Sequence, residues 1–108
     1  MSRVKVGFVP LHRHPFDEKW AIELKERFIA AVKACFGDVV DLVYPSESDT
    51  KLGLVSDDED AESVAELFRK EGVDGIAIAA LTFGDELAGA RVVELVRKPT
   101  VIYATKEP

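Results

Sequence analysis

An uninterrupted apolar strand, Ile76 to Leu81, constrains the fold of this chain more than any other stretch. It sits inside EGVDGIAIAALTFGDE, Glu71 to Glu86, where a helix stops at Gly72 and the strand empties into Thr82-Phe83-Gly84-Asp85-Glu86. A strand apolar on both faces must be buried on both, which is the habit of parallel sheets flanked by helices. In such sheets ligands bind where strands end at their carboxyl edge. A polar loop with one aromatic, following a buried strand, is the natural place for function.

The rest of the chain alternates strand and helix. Val4 to Val9 reads as a first strand, stopped by Pro10. From Asp17, the spacing Trp20, Leu24, Phe28, Val32, Phe36 gives a helical stripe, widened by Ala21, Ile29 and Ala31, and Gly37 stands where a C-cap belongs. Trp20 and Phe28 are expected in the core. Val39 to Tyr44 is a second strand, closed by Pro45, and Pro45 to Val55 reads as a polar loop. Ser56-Asp57-Asp58-Glu59 has the form of a capping box with its acids in the first turn. The helix it opens presents Ala61, Val64, Ala65 and Phe68 on one face and ends at Gly72. The third strand is Gly75 to Leu81, a third helix runs from about Asp85 to Val96, and Pro99 opens a last strand through Ala104.

This β-α-β-α-β-α-β order, in one domain spanning residues 1–108, predicts an α/β fold. Right-handed crossovers favour a three-layer, flavodoxin- or Rossmann-like architecture: a four-stranded parallel sheet in the order 2-1-3-4 with three helices. Strands 1 and 3 then end side by side, and the loops Leu11–Asp17 and Thr82–Glu86 form one crevice. With helix 1 on one face and helices 2 and 3 on the other, the helix-1 face of strands 3 and 4 stays partly bare. The third helix is apolar nearly all round (Leu87, Ala88, Ala90, Val92, Val93, Leu95, Val96). An uncovered apolar patch marks an interaction surface, so further domains or copies of the chain are expected against the sheet and helix 3.

Composition narrows the partners. A net charge of −6 with no basic stripe argues against nucleic acid and anionic membranes. The one cysteine, Cys35, cannot close an internal disulfide, and its place in an amphipathic helix predicts plain burial. No apolar run approaches the ~20 residues that cross a bilayer. The opening MSRVKVGFV lacks a secretory h-region, so the cytoplasm is the expected compartment. The chain has neither Asn nor Gln while acids and bases are plentiful, a bias that suits a thermophile.

Two loops hold the candidate chemistry. The first, Leu11-His12-Arg13-His14-Pro15-Phe16-Asp17, carries both histidines and an arginine in consecutive positions. These suit a hydroxyl-rich or anionic ligand; alternatively His14 or Asp17 caps helix 1, with Pro15 in its first turn and the others solvated. In the facing loop Phe83 offers a ring to stack on a sugar and Thr82 a hydroxyl to bond it. Equally, Asp85 caps helix 3, Glu86 complements its dipole and Phe83 fills the core. Two histidines in one loop lack the further ligands that zinc needs. Asp57 to Asp60 reads as a solvated, dipole-complementing turn rather than a metal site.

Familiar nucleotide sites are missing. No GxGxxG follows strand 1 and no GxxxxGK[ST] occurs. Strand 1 lacks the acidic pair of a receiver domain and the phosphate loop of a flavodoxin, and no nucleophile has an adjacent base.

The VGFVP strand with its polar loop, the EGVDGI turn-and-strand and LTFGDE together resemble the amino-terminal domain of the L-fucose isomerase and L-arabinose isomerase superfamily. The likeness covers nearly the whole chain in layout. It implies a metal-dependent aldose–ketose isomerase, usually with Mn²⁺, whose carboxylate and histidine ligands come from later domains. No catalytic residue or metal ligand is then expected here, and the isolated chain is not catalytic. By position, Arg13 and His14 match sugar contacts of the first loop and Phe83 matches the aromatic of the second, with Thr82 and Asp85 of that loop as further candidate contacts. His12 departs from the pattern. The competing reading is a stand-alone sugar-binding or dimerising module.

Overall fold

A computed structural model of the chain describes residues 3–12, 18–80 and 86–104. Its elements are β1 (Val4–Leu11), α1 (Glu18–Phe36), β2 (Val40–Val43), a 3₁₀ turn (Lys51–Gly53), α2 (Asp58–Glu71), β3 (Gly75–Ala80), α3 (Glu86–Val96) and β4 (Thr100–Ala104). The four strands form one parallel sheet in the order β2-β1-β3-β4, with α1 on one face and α2 and α3 on the other. The fold class expected from the strand–helix alternation is the one observed.

Each element ends for a local reason. At α2, Asp57 is the N-cap, accepting from the Asp60 N–H at 2.8 Å, while the Asp60 carboxylate takes the Ser56 N–H at 3.0 Å. The capping box is thus shifted one residue from the expected Ser56 start. Gly72 closes α2 in the left-handed conformation, φ 67°, as its sequence position predicts. Gly37 follows α1 without a left-handed turn; what excludes a side chain there is the Lys33 carbonyl oxygen, which occupies the place of a Cβ.

Strand β1 does not stop at Pro10 but runs on to Leu11. Pro10 is tolerated because of which side it faces. The Pro10 carbonyl bonds on the β2 side, so its missing N–H belongs to that side as well, and β2 has already ended at Val43, the partner of Gly7. On the β3 side the register continues through Leu11, paired with Ala80.

The two faces differ in closure. The α2–α3 face joins Val9, Leu11, Ile76 and Ile78 of the sheet to Val64, Ala65 and Phe68 of α2 and Ala88, Val92 and Val96 of α3. The Phe68 ring occupies the space a Cβ on Gly7 would need, at 2.6 Å, so Gly7 is there for close approach. On the α1 face the buried apolar cluster among the described residues is smaller: Phe8, Ala21, Leu54 and Ala79. Phe28 stacks on Phe8 at 4.4 Å but is half-buried, as is Trp20, and Phe36 is 55% exposed. The α1 stripe is therefore centred one residue round from the expected line, on Ala21 and Lys25, and Cys35 lies exposed rather than packed.

The bare patch expected on the α1 face of strands 3 and 4 lies mainly on β4 and extends to that strand's other face. On β3 the α1 face is partly covered, with Ala79 buried and Ala77 half-buried. On β4 both faces are open: Val101, beside Ala77, is 70% exposed and Ile102, beside Ile78, is 73% exposed.

Candidate functional site at the carboxyl edge of the sheet

The sheet reverses its order of addition between β1 and β3, the place where an open parallel sheet leaves a crevice. Leu11 and Ala80, the last residues of the two strands, are register partners. The two polar loops therefore leave from adjacent strand ends. Arg13, His14, Thr82, Phe83 and Asp85, the residues expected to meet a sugar, lie outside the described residues.

What surrounds the strand ends is described. His12 follows β1 with its side chain fully buried, not solvated, and its backbone N–H donates to the Val55 carbonyl at 2.9 Å. The Val55 N–H donates to the Pro10 carbonyl at 2.8 Å, completing a parallel bridge between Leu11 and Val55. Leu54 and Val55 thus take the place beside β1 that β2 vacates, one side chain entering each core. From the other side, α3 comes close over Leu11: a Cβ on Gly89 would stand 3.1 Å from a Leu11 methyl.

Leu54 and Val55 are held by the segment before them. Ser46 starts a turn in which the Asp49 carboxylate takes its N–H at 2.9 Å and the Thr50 N–H reaches its carbonyl at 3.1 Å. Leu52 and Gly53 then adopt left-handed backbone, φ 60° and 67°. Glycine does so freely; for leucine it is a strained choice costing on the order of 1 kcal/mol. A buried lysine secures this bend. Lys25 of α1 is 8% exposed, and its Nζ donates to the Pro45 carbonyl at 2.7 Å and the Gly53 carbonyl at 2.8 Å. It also lies 5.5 Å from the Tyr44 ring centroid. Burial holds the Lys25 pKa below its ordinary value, against the pull of the Glu26, Glu47 and Asp49 carboxylates. An open groove of about 440 Å³ runs past it, between α1 and residues 44–52, with Ile22, Ile29, Tyr44 and Leu52 among its walls.

Sequence reasoning missed these supports. Lys25 falls four residues after Ala21 and four before Ile29, inside the apolar stripe, and that position was the available signal. Leu54-Val55 is an apolar pair ending an otherwise polar loop, a second signal. The burial of His12 has none.

The divalent metal that the isomerase resemblance implies does not fit the described residues: none of their His, Cys, Asp and Glu side chains form a group of three or more able to hold one. No described helix is long and apolar enough to cross a membrane.

A family model described as the N-terminal domain of fucose/sulfoquinovose isomerase matches residues 7–108, from the middle of β1 through β4 and the residues after it. No curated protein and no solved structure matches the chain. The matched span includes both strand ends, both polar loops and the Leu54–Val55 insert between them, so the likeness read from VGFVP, EGVDGI and LTFGDE extends over all but the first six residues. The chain belongs to the fucose/sulfoquinovose isomerase N-terminal domain family.

Proposed function

We propose that this chain is the substrate-pocket and assembly domain of a metal-dependent aldose–ketose isomerase of the L-fucose/L-arabinose type, with the Mn²⁺ ligands lying outside it. The observation that carries the reading is the pairing of Leu11 with Ala80, which starts the two candidate loops from neighbouring strand ends. In this reading Arg13 and His14 donate hydrogen bonds to sugar oxygens, Phe83 stacks on the sugar's apolar face, and Thr82 and Asp85 bond its hydroxyls. The chain binds and orients; no proton-transfer step is assigned to any of its residues.

The family description names both fucose, a neutral sugar, and sulfoquinovose, a sulfonate. An arginine suits the sulfonate, because its planar fork pairs two oxygens at once. Titration calorimetry with L-fucose, L-arabinose and sulfoquinovose should give heat with at least one. Phe83→Ala should weaken that binding by about tenfold, or ~1.4 kcal/mol. An Arg13→Ala loss confined to sulfoquinovose would identify the anionic sugar as the ligand. No heat with any of the three would sink the pocket in the isolated chain.

Assembly rests on β4. Val101 and Ile102 are open on opposite faces of an edge strand, which supports coverage by further isomerase domains or another copy of the chain. The same observation favours the second reading, a stand-alone sugar-binding or dimerising module. Reconstitution with the missing isomerase domains separates them: restored aldose–ketose interconversion supports the first, and a sugar-binding chain that restores none supports the second.

A further inference from the structure

We infer that Lys25 is a positioning residue that sets the exit of β1 from across the α1 face, by clasping the two ends of the segment that delivers Val55. The chain of contacts is continuous. Nζ of Lys25 joins the carbonyls of Pro45 and Gly53, residues eight apart in sequence, and so draws the mouth of the 45–53 segment closed. Gly53 leads directly into Leu54 and Val55, and Val55 holds Pro10 through its N–H and His12 through its carbonyl.

Three features make the clasp specific to an amine on a straight stem. Nζ stands 2.5 Å from where a Gly53 Cβ would be, so the glycine both takes the left-handed backbone and leaves room for the ammonium. Both acceptors are backbone carbonyls, so no carboxylate directly neutralises the charge; Glu26, Glu47 and Asp49 act on it only through space, and the Tyr44 ring lies within cation–π range. Lastly, β1 has no other neighbour on that side once β2 ends at Val43, among the described residues. The register of Pro10–His12 there depends on a two-residue insert, whose side chains are core-buried and whose approach from Gly53 is held by Lys25.

This inference concerns the fold and stands whether or not the crevice binds a sugar. Its test is amide exchange in the Lys25→Met chain, which keeps the apolar stem and removes the donors. The Val55 and His12 amides should exchange about 10- to 100-fold faster, the loss expected for hydrogen bonds from a charged donor. The Ile76 amide, bonded to the Pro99 carbonyl on the far side of β3, should keep its protection. Lys25→Cys in a Cys35→Ser background, aminoethylated while unfolded and then refolded, replaces one methylene by sulfur and should restore protection. A uniform rise at all three amides, no rise at Val55 and His12, or no rescue by the restored amine would overturn it. So would a Lys25→Met chain that does not fold, because the larger core, with Val9, Val64, Phe68 and Val92, lies on the opposite face of the sheet from α1.

Discussion

The two faces of the sheet are built from the same strands, yet they are finished differently. On the α2–α3 face Val9, Val64, Phe68 and Val92 are fully excluded from water, and Leu11, Ile76 and Ile78 nearly so. On the α1 face the core is smaller, with a buried lysine, a stacked but half-buried phenylalanine and, beside them, an open groove of about 440 Å³. Stability and site-shaping are thereby divided. The closed face fixes the strand register that sets the sheet, while the open face carries the polar contacts that reach the crevice. A close-packed region tolerates little volume change, whereas one with room can shift.

Truncating one phenylalanine on each side breaks the comparison most directly. Phe68→Ala should destabilise the fold by about 3–5 kcal/mol, because the ring is fully buried against Gly7 and the cavity left is walled by β1. Phe28→Ala should cost less, about 1–3 kcal/mol, since its ring keeps solvent access and loses chiefly its stack on Phe8. Chemical denaturation of both variants measures the difference. Equal losses would mean that the α1 face is as closed as the other.

The closed face was also the legible one. Ala61, Val64, Ala65 and Phe68 show helical spacing, and all four are buried where that spacing predicts. The uninterrupted apolar run of β3 forced a parallel sheet and, through it, the adjacency of the β1 and β3 ends. On the α1 face the same reasoning slipped, because periodicity weighs side-chain size and hydrophobicity alone. It ranked Trp20 and Phe36 above Lys25, while the structure ranks them by position on the helix, and a lysine can bury its stem where two carbonyls receive its head. Pro10 misled for a related reason. A proline ends a strand only where its N–H is needed, and the side it faces depends on how far β2 extends, a length Pro45 overstates by one residue. The candidate sugar contacts were legible as residue types in a loop, but their geometry was not, since loop backbone carries no period to read.

A smaller effect separates the faces by pH. Lys25 has its pKa lowered in the folded chain by burial, so between that value and the ordinary lysine value the unfolded chain holds more protons than the folded one. Stability from this group therefore rises with pH across that window and is unchanged below it. The wild-type chain should gain stability relative to Lys25→Met as pH climbs toward the ordinary lysine pKa. A flat difference between the two denaturation profiles would mean that the ammonium is better hydrated than its burial indicates.

The smallest expected change on the folded chain comes from β4, which belongs to neither closed region. Ile102→Lys places a charge where the side chain is already 73% exposed, and Val101→Lys does the same on the opposite face. Either should alter stability by no more than about 0.5 kcal/mol, the usual range for surface positions. Association is where they should be felt. A lysine on an edge strand blocks pairing with another strand and removes apolar area from any contact made there. If β4 is the assembly surface, sedimentation should show each variant shifting any self-association or domain docking toward the free chain while its denaturation midpoint holds. A large loss of stability in the free chain would show instead that Val101 and Ile102 are core residues of the domain itself. In that case α3 reaches further across the sheet than its contacts with Ile78 and Leu11 imply, and the open edge would no longer distinguish β4 from the closed face beside it.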